Sequence, residues 1–399
     1  MKATGEQDAM TGPRPDADAG AAEPIAVDRV ERAADRRAFL DLPRRIYADD
    51  PHWIEPLRKE EAMRIDPRRH AFYEHGEGAF WLARRGAEVV GRIAALVNRL
   101  HLEKYDDATG HFGLLEAVDD QAVFDALFAA AGAWLRERGL TRVLGPCNLS
   151  INEELGLLVD GFERPPMILM GHARAYYAPR IEAAGFTKAK DLYAFLQDID
   201  KPMPESWRTR LDEITRRNET EIYSATRKSL FNDLKQAIDI YNDGWSENWG
   251  SVPITESETI EFYKAVKPVL IPEAVVFAAD KGEPFAIMAA IPNINEAIHD
   301  LGGRLLPFGW IKLLWRFRTR RLTSGRIFLL GVRKAYQGTI LGPMMAIMLI
   351  ESIRDVARGL GIRWAELSWV LEDNKKVIDF LESYGCERYK TYRLYEKAL

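Results

Sequence analysis

The chain has 399 residues, of which 47% are hydrophobic and 29% charged, and its formal net charge is −5. This length allows two or more domains, and the composition is that of an ordinary globular protein. The negative charge argues against a protein that mainly coats polyanions. Two cysteines, Cys147 and Cys386, are too few for a disulfide framework or a zinc cluster, which favours a reducing compartment.

Residues 1–24, MKATGEQDAMTGPRPDADAGAAEP, are predicted to form a disordered tail. They are polar and mildly acidic, and they lack the apolar segment of a secretory signal. No apolar run in the sequence reaches the roughly 18 residues of a membrane-spanning helix. The sequence therefore predicts a cytoplasmic protein with at most peripheral contact with the inner face of a membrane.

Residues 25–200 are predicted to form a first α/β domain, because strand and helix patterns alternate along them. The predicted elements are strands at 79–85, 89–98 and 111–117, a helix at 121–139, a strand at 142–149, a helix at 175–186 and a strand at 191–199.

Residues 207–399 repeat the same order of signals after a polar, proline-containing linker at 198–206. The predicted elements are helices at 229–245 and 257–270, a hairpin at 274–293 with its turn at Lys281–Gly282, a strand at 326–332, a helix at 343–359, a strand at 363–370, a helix at 374–385 and a strand at 386–396. A hairpin followed by alternating strands and helices, seen twice, predicts a tandem α/β protein in which each half is a mixed sheet flanked by helices.

The strongest chemical signal is the loop RKAYQGTILG, which joins the strand FLLGV to an apolar helix. A helix N-terminus carries unpaired N–H groups and a partial positive charge, so a glycine-containing loop there can hold a phosphate. Gly338 and Gly342 allow a close approach of the backbone, and Arg333 and Lys334 add cations. Taken alone, the segment also fits a simple strand-to-helix turn.

The run from Ile327 to Glu396 resembles the GNAT acyltransferase superfamily. The family's loop, Gln/Arg-x-x-Gly-x-Gly/Ala, is matched from Gln337 to Gly342, with Ile340 in place of the middle glycine. The resemblance implies a mostly antiparallel mixed sheet and acyl-CoA as the co-substrate. The residues that it implies for holding acyl-CoA are Val332, Arg333, Gln337, Gly338, Thr339, Ile340, Leu341, Gly342 and Asn374.

The resemblance also implies that the pantetheine arm runs between two splayed strands, at 327–332 and 364–370. The tyrosine that many members use as a general acid falls on Leu381, so Tyr384, one turn later, is the candidate substitute. Glu366, beside the presumed thioester, is a candidate general base if burial raises its pKa. The alternative for Glu366 is a solvent-facing strand carboxylate.

The first half lacks an equivalent loop. Glu116, Asp119 and Asp120 stand between its corresponding strand and helix, and their carboxylates would repel a pyrophosphate. The first half is therefore predicted to be a degenerate copy that shapes the acceptor pocket or supports the second half.

Two polar segments, GPCNLSINEELGLLVDGF from residue 145 and NDGWSENWGSVP from residue 242, are candidates for a substrate site. Glu154 is a catalytic candidate, and Asn152 and Trp249 are candidates for substrate contact. Polar side chains that stabilise turns, and tryptophan that simply packs, remain open alternatives. The histidines show no metal-binding spacing, so no metal is predicted.

The segment LLPFGWIKLLWRFRTRRL, at 305–322, combines tryptophans with basic residues. One helical face is predicted to carry Trp310, Leu313, Leu314 and Phe317, and another Lys312, Arg316 and Arg320. Such a helix suits an anionic membrane surface or the mouth of a pocket for an alkyl chain, with Trp310, Trp315 and Phe317 as contact residues. An ordinary helix docked on the core is the alternative, and nucleic acid is not expected because the chain is acidic.

At the level of the whole chain, the sequence resembles a tandem GNAT family associated with bacterial ceramide synthesis. The resemblance rests on GPCNLSINEELGLLVDGF, YNDGWSENWGSVP and the Gly-Val-Arg loop. It implies transfer of a fatty acyl group from acyl-CoA to the amine of a long-chain sphingoid base. Acyl or aminoacyl transfer to an amino acid or another small amine, and a non-catalytic acyl-CoA- or lipid-binding protein, remain alternatives.

Overall fold

The structure, a computed structural model, describes residues 23–215, 220–319, 322–337 and 341–399. The strands of the first half are β1 (Ile25–Arg29), β2 (Gly76–Arg85), β3 (Glu88–Asn98), β4 (Thr109–Ala117), β5 (Arg142–Gly145), β6 (Cys147–Asn148), β7 (Glu154–Leu155), β8 (Leu157–Asp160) and β9 (Thr187–Asp198). Its helices are α1 (Ala33–Ile46), α2 (Arg58–Arg64), α3 (Arg99–Tyr105), α4 (Gln121–Arg136) and α5 (Tyr177–Ala183), with a 3₁₀ turn at Ala71–Glu74.

The second half follows the same plan. Its strands are β10 (Glu221–Ser224), β11 (Val275–Asp280), β12 (Glu283–Pro292), β13 (Ser324–Val332), β14 (Trp364–Leu371) and β15 (Glu387–Ala398). Its helices are α6 (Glu205–Thr215), α7 (Leu230–Trp245), α8 (Glu256–Val266), α9 (Asn295–Ile298), α10 (Gly309–Arg318), α11 (Lys334–Gln337), α12 (Leu341–Leu360) and α13 (Lys375–Ser383), with a 3₁₀ turn at Pro272–Ala274.

The strands and helices predicted for both halves are present, with ends that differ by a few residues. Lys281 and Gly282 form the predicted hairpin turn with φ angles of 52° and 84°, the left-handed conformation that such two-residue turns require. The strand predicted at 142–149 is broken at Pro146, and its last part pairs separately as β6 with β7. Helix α6 begins inside the predicted linker, and the elements before residue 76 were not predicted.

The main strands form one continuous sheet in the order β1-β2-β3-β4-β5-β15-β9-β14-β13-β12-β11-β10. The last strand of the second half, β15, pairs with β5 of the first half, and β9 of the first half pairs with β14 of the second. The two last strands also pair with each other. The tandem mixed sheet is therefore confirmed, and each half completes it with the last strand of the other. The division of the chain into two domains at 200–207 follows the order of the repeat along the sequence, and it stays a prediction.

Strands β13 and β14 separate after a short parallel pairing. They pair from Ser324 and Trp364 as far as Ile327 and Leu367, but β13 continues for five further residues, to Val332. The register of β14 against β9 also shifts after Leu367. A gap therefore opens between the strands that the GNAT resemblance identified as splayed.

The first half has the same parting, between β4 and β5, but its own chain fills the gap. The parallel pairing of β4 and β5 ends at His111. Beyond it, a Cβ placed on Gly113 would overlap the carbonyl of Cys147, so only glycine allows this close approach. The Asn148 side chain accepts a hydrogen bond from the Leu114 N–H at 2.7 Å. No open gap remains at this position of the first copy.

The helix that follows β4 also differs from its counterpart after β13. The Asp120 carboxylate accepts a hydrogen bond from the Ala122 N–H at 2.9 Å and so caps the N-terminus of α4. A carboxylate at this place opposes a phosphate. Among the helices that the structure describes, none combines the length and apolar character needed to cross a bilayer.

The close approach at Gly113 can be tested by adding one methyl group. We expect Gly113→Ala to lower the free energy of unfolding by about 3 kcal/mol, because the Cys147 backbone must move. Urea unfolding followed by fluorescence measures the change. Gly171→Ala is the matched control, because its new Cβ meets an atom only at an ordinary 3.8 Å. Equal stability of the two variants would contradict the filled gap.

Candidate active site

Arg326 and Glu366 face each other one pair before β13 and β14 separate. The Arg326 Nε lies 3.5 Å from the Glu366 Oε1, and the two side chains are 3% and 0% exposed. The Ser368 hydroxyl donates to Glu366 Oε1 at 2.6 Å, and the Tyr389 hydroxyl donates to Oε2. We call these four residues, together with Lys390, the buried network.

A loop of the first half closes over this network. Arg326 Nη1 donates to the carbonyls of Ile168 and Leu169, each at 3.2 Å. Lys390 Nζ donates to the carbonyls of Arg164 and Pro165, at 2.7 and 3.3 Å. Two cations of the second half thus hold one segment of the first half through its backbone oxygens.

Burial governs the protonation of this network. It lowers the pKa of Lys390 to about 8, because the ammonium ion loses its hydration, and the negative charge of Glu366 offsets part of the effect. Burial likewise lowers the pKa of Arg326, again opposed by Glu366, but a guanidinium stays charged at any physiological pH. At neutral pH the network therefore carries two cations around the Glu366 carboxyl group.

The Tyr392 hydroxyl lies beside this network, fully buried and with no hydrogen-bond partner among the described residues. Burial raises its pKa, and the charges of Glu366 and Glu154 raise it further. Glu154 and Glu366, both predicted as catalytic candidates, thus share one electrostatic neighbourhood around Tyr392.

A second polar group lies where the two halves meet, and we call it the interface cluster: Arg64, His70, Glu153, Glu154 and Glu261. Arg64 approaches Glu154 at 3.4 Å and Glu153 at 3.8 Å. His70 lies 3.8 Å from Glu153 and 3.3 Å from Glu261. The members come from α2, the adjoining 3₁₀ region, the loop around β7 and α8, so both halves contribute.

The two neighbouring glutamates of this cluster have opposite pKa shifts. Burial raises the pKa of Glu153 to about 8, an effect that Arg64 only partly offsets and that nearby carboxylates reinforce. Burial acts on Glu154 too, but Arg64 and the Asn148 amide outweigh it and lower the pKa. Burial, reinforced by the charge of Arg64, lowers the pKa of His70 to about 4. Glu153 is therefore the member suited to exchange a proton near neutral pH.

Glu366 is not the solvent-facing carboxylate that the sequence left as an alternative. It is fully buried, and both of its oxygens already accept hydrogen bonds. With a side chain that is 0% exposed, Glu366 is closed to an amine that approaches from solvent in this arrangement. The geometry favours a role in holding the parting strands together.

Tyr384 does not join the two glutamates. It packs with Leu367 in the apolar cluster beneath α12 and α13, whereas Glu366, the preceding residue of β14, points to the other face of the sheet. Its hydroxyl donates to Glu351, and burial together with that hydrogen bond raises its pKa. Tyr384 is therefore enclosed in the apolar cluster with its hydroxyl bonded to Glu351, and it does not face an open site.

Of the residues predicted to hold acyl-CoA, Val332 and Arg333 lie at the end of β13, whereas Gly338, Thr339 and Ile340 lie outside the described residues. Gln337 donates to the Val332 carbonyl at 2.8 Å, and α12 begins at Leu341 with Gly342 in its first turn. The Arg333 guanidinium pairs with Asp239 at 2.6 Å. The backbone N–H of Arg333 donates to the Phe285 carbonyl, so this N–H is not available to polarise a thioester. Asn374 caps the N-terminus of α13, accepting from the Val377 N–H at 3.4 Å.

The remaining substrate candidates lie at the contact between the halves. Asn152 donates to the Val252 carbonyl at 3.1 Å, and Trp249 packs against the core of the first half. Trp245, which precedes Trp249 in the same motif, donates from its indole to the Leu330 carbonyl at 2.7 Å, beyond the last β13–β14 pair. The motif therefore reaches the edge of the gap through Trp245.

Helix α10 differs from the predicted arrangement of its faces. Trp310 and Leu314 are exposed, whereas Leu313 and Phe317 pack on a small apolar cluster. Arg316, predicted on the basic face, is only 14% exposed and pairs with Asp300. The predicted apolar face was wrong, because only Leu313 and Phe317 of that face pack on the protein, while Trp310 and Leu314 point to solvent.

Both cysteines are buried and unbonded, and burial raises the pKa of each thiol, that of Cys386 to about 12. Neither thiol is therefore ionised near neutral pH. In the described ranges, His, Cys, Asp and Glu side chains nowhere gather in groups of three or more that could hold a metal ion.

Sequence reasoning did not single out Arg326, Tyr389, Lys390, Arg64 or His70. One signal was available, since Arg326 opens the otherwise apolar strand RIFLLGV and Lys390 lies in a strand rich in tyrosine. A charge in a strand that must be buried implies a buried partner. Arg64 and His70 carry no such signal, because their partners are distant in the chain.

The burial of Lys390 predicts a pH dependence of stability. Between about pH 8 and about pH 10 the folded protein binds fewer protons than the unfolded chain, whose lysine keeps its ordinary pKa of 10.5, so Lys390 adds to stability as pH rises. Lys390→Met should remove this rise, on the order of 2 kcal/mol. Unfolding free energies of both proteins across this range measure it. Measurements stop at about pH 10, because the raised pKa values of Tyr389 and Tyr392 act in the opposite direction above it.

The exposed Lys376→Met is the control, and it should leave the pH dependence unchanged. A constant difference between wild type and Lys390→Met at all pH values would show that Lys390 titrates normally.

No family model matches the chain. The bacterial ceramide synthase of Caulobacter vibrioides is 43% identical over 382 residues, which cover 94% of this chain and 98% of that protein. Protein YghO of Escherichia coli is 40% identical, covering 92% and 93% of the two chains. Among solved structures, a tandem GNAT protein from the clavulanic acid biosynthesis pathway has a TM-score of 0.54 at 12% identity, covering 94% and 98%, and it shows the shared fold. The chain has the tandem GNAT fold, and it belongs to the acyltransferase family that includes the bacterial ceramide synthase.

Proposed function

We propose that the protein transfers a fatty acyl group from acyl-CoA to the amine of a long-chain sphingoid base, forming a ceramide. The observation that carries this proposal is the 43% identity, over 98% of its length, to a protein named for ceramide synthesis. In the reaction the neutral amine nitrogen bonds to the thioester carbonyl carbon and the C–S bond breaks. One amine proton is taken up by a base, and the departing sulfur acquires a proton.

The gap between β13 and β14 is the proposed place of the thioester. Beyond Ile327 the facing edges of these strands have no strand partner in each other, and Trp245 already bonds one carbonyl there, that of Leu330. Backbone groups that face the gap without a partner strand can accept hydrogen bonds from a pantetheine arm or donate to it. The N-terminus of α12 and the loop before it would hold the pyrophosphate, with Arg333 and Lys334 close by.

The buried network keeps this gap in shape. Arg326 and Glu366 join the two strands one pair before they separate, and Arg326 and Lys390 hold the 164–169 loop of the first half over them. Holding both reactants in a fixed geometry is the main source of acceleration in a direct transfer. In this proposal Glu366 is a positioning residue.

The interface cluster is the proposed place of the amine. Its carboxylates attract an ammonium ion, and Glu153, whose pKa lies at about 8, can then accept the proton that leaves the amine. Arg64 holds Glu154 as an anion at 3.4 Å, which suits Glu154 to orienting the amine. The first half, proposed as a degenerate copy over 25–200, would thus supply acceptor contacts.

Transfer to a lipid amine can be measured directly. Purified protein is incubated with a long-chain acyl-CoA and a panel of sphingoid bases, amino acids and small amines, while thiol release and the acylated product are followed. We expect thiol release and N-acyl product with the sphingoid base. Release with amino acids and none with the sphingoid base would exclude ceramide synthesis, and failure to bind any acyl-CoA would exclude the transferase.

The role of Glu153 predicts a pH profile. A base with a pKa of about 8 must lose its proton to act, so kcat/KM of the wild type should rise with pH through about 8. Glu153→Gln should lower kcat by about 100-fold. The ratio of the two profiles isolates Glu153, because ionisation of the amine affects both proteins equally.

Glu154→Gln is the neighbouring control. It should raise KM for the amine while leaving the rise with pH in place, because Glu154 is already an anion. If Glu153→Gln keeps both the rate and the pH profile of the wild type, the base lies elsewhere.

A further inference from the structure

Large apolar side chains that are exposed to solvent gather at one place in the part of the chain that the structure describes. They are Leu306, Phe308, Trp310, Ile311, Leu314 and Trp315. Leu306 and Phe308 are 78% and 73% exposed, and the others about half. Single exposed apolar residues need no explanation, but a contiguous group marks a surface that meets an apolar partner.

The underside of α10 fixes this group in its outward position. Leu313 and Phe317 pack against Ala297, Leu322 and Ile362. Arg316 donates to the Asp300 carboxylate at 2.8 and 2.9 Å, and Lys312 donates to the same carboxylate. Because the helix is anchored through these contacts, its exposed apolar side cannot turn inwards without breaking them. We call residues 304–318 with this outward side the α10 surface.

The charge around the α10 surface is positive, although the whole chain carries −5. Arg304 and Arg318 are exposed at its two ends, and Lys312 is exposed between them. The nearby Asp300 is engaged by Arg316 and Lys312, and its hydrogen bond with Arg316 lowers its pKa. The surface thus presents apolar tips within a cationic border.

This combination distinguishes between possible occupants. A second copy of the chain in a two-fold dimer would bring the same arginines against each other, and that repulsion opposes pairing. A neutral apolar partner would leave the cations without a function. An anionic bilayer meets both features, because its headgroups attract the cations and its interface accepts tryptophan, phenylalanine and leucine.

The α10 surface is also connected to the proposed reaction site. Ala357, Leu360 and Ile362, which carry the underside of α10, line a half-open apolar groove between α12 and the sheet. The same groove is lined by Ile327, the last residue of β13 paired with β14. One groove is therefore lined both by residues that pack beneath α10 and by the residue at which the pairing of β13 with β14 ends.

We propose that the α10 surface docks the protein on an anionic phospholipid bilayer, with Leu306, Phe308, Trp310 and Ile311 inserted among the headgroups. The inference deepens the proposed function and rests on it for the identity of the lipid acceptor, which resides in the bilayer. The docking itself needs no substrate. Binding should depend on both the apolar tips and the cationic border.

The experiment is sedimentation of the full chain with vesicles of mixed phosphatidylglycerol and phosphatidylcholine, and with vesicles of phosphatidylcholine alone. We expect binding to the anionic vesicles that weakens as salt is added. Phe308→Ser/Trp310→Ser should abolish it. Arg304→Glu/Arg318→Glu should weaken it by about 100-fold, since each basic residue near the surface contributes to attraction and each reversal adds repulsion.

The matched control is Arg136→Glu/Lys281→Glu, which changes the net charge equally at exposed positions of other elements. It should bind anionic vesicles like the wild type. If both charge variants lost binding to anionic vesicles equally, binding would depend only on net charge, and the proposal would be overturned. Absence of vesicle binding would also overturn the proposal. A wild-type dimer that the Phe308→Ser/Trp310→Ser variant fails to form would overturn it too, because the α10 surface would then be an interface between copies of the chain.

The outcome is separable from that of the proposed function. Vesicle binding is measured without acyl-CoA or amine, so docking can hold when no transfer occurs. Conversely, if the protein acylates a sphingoid base dispersed in detergent but does not bind vesicles, the proposed transferase activity stands and the proposed docking is excluded.

Discussion

The hydrogen-bonded ladder between β15 and β9 is the interaction on which the rest of the molecule depends. These strands lie side by side at the centre of the sheet, and each pairs on its other side with a strand of the opposite half. Without β9 and β15, β14 and β5 would each expose an edge of unpaired N–H and C=O groups. Neither half can therefore complete its sheet alone, and the tandem repeat forms a single hydrogen-bonded unit.

The polar residues of the buried network lie along this central junction. β15 carries Tyr389 and Lys390 to the side of Glu366, and a first-half loop lies over Arg326. A buried ion pair is costly to form, and removing one partner leaves an unpaired charge. Such a pair is poorly explained as a source of stability, but it fixes how β13 and β14 sit at the point where they separate. The same junction places the interface cluster between α2, the loop around β7 and α8.

The local pattern of the sequence predicted most elements because periodicity, turn residues and helix ends are encoded within short segments. The Lys281–Gly282 turn and the helix that Gly385 closes are examples. The exchange of β9 and β15 could not be predicted in this way, because the two strands occupy equivalent places in the repeat and their pairing joins residues far apart in sequence. The burial of Glu366 depends in part on that exchange, since β15 brings Tyr389 to its carboxyl group. The resemblance identified the parting strands and offered Tyr384 as a general acid, but a motif match carries no information about the distant partner of a side chain, which for Tyr384 is Glu351.

Strands part at the same place in the two halves, but among the described residues the chain itself fills the gap in the first half only. In the first half, Asn148 closes the gap by accepting from the Leu114 N–H. The amide group of the same side chain donates to Glu154 at 3.0 Å. The segment that fills the first gap thus continues directly into the glutamates of the interface cluster, and one asparagine fixes both. A substitution that reopened the first gap would release Glu154 and disturb Arg64, so the filled gap supports the acidic side of the proposed acceptor site.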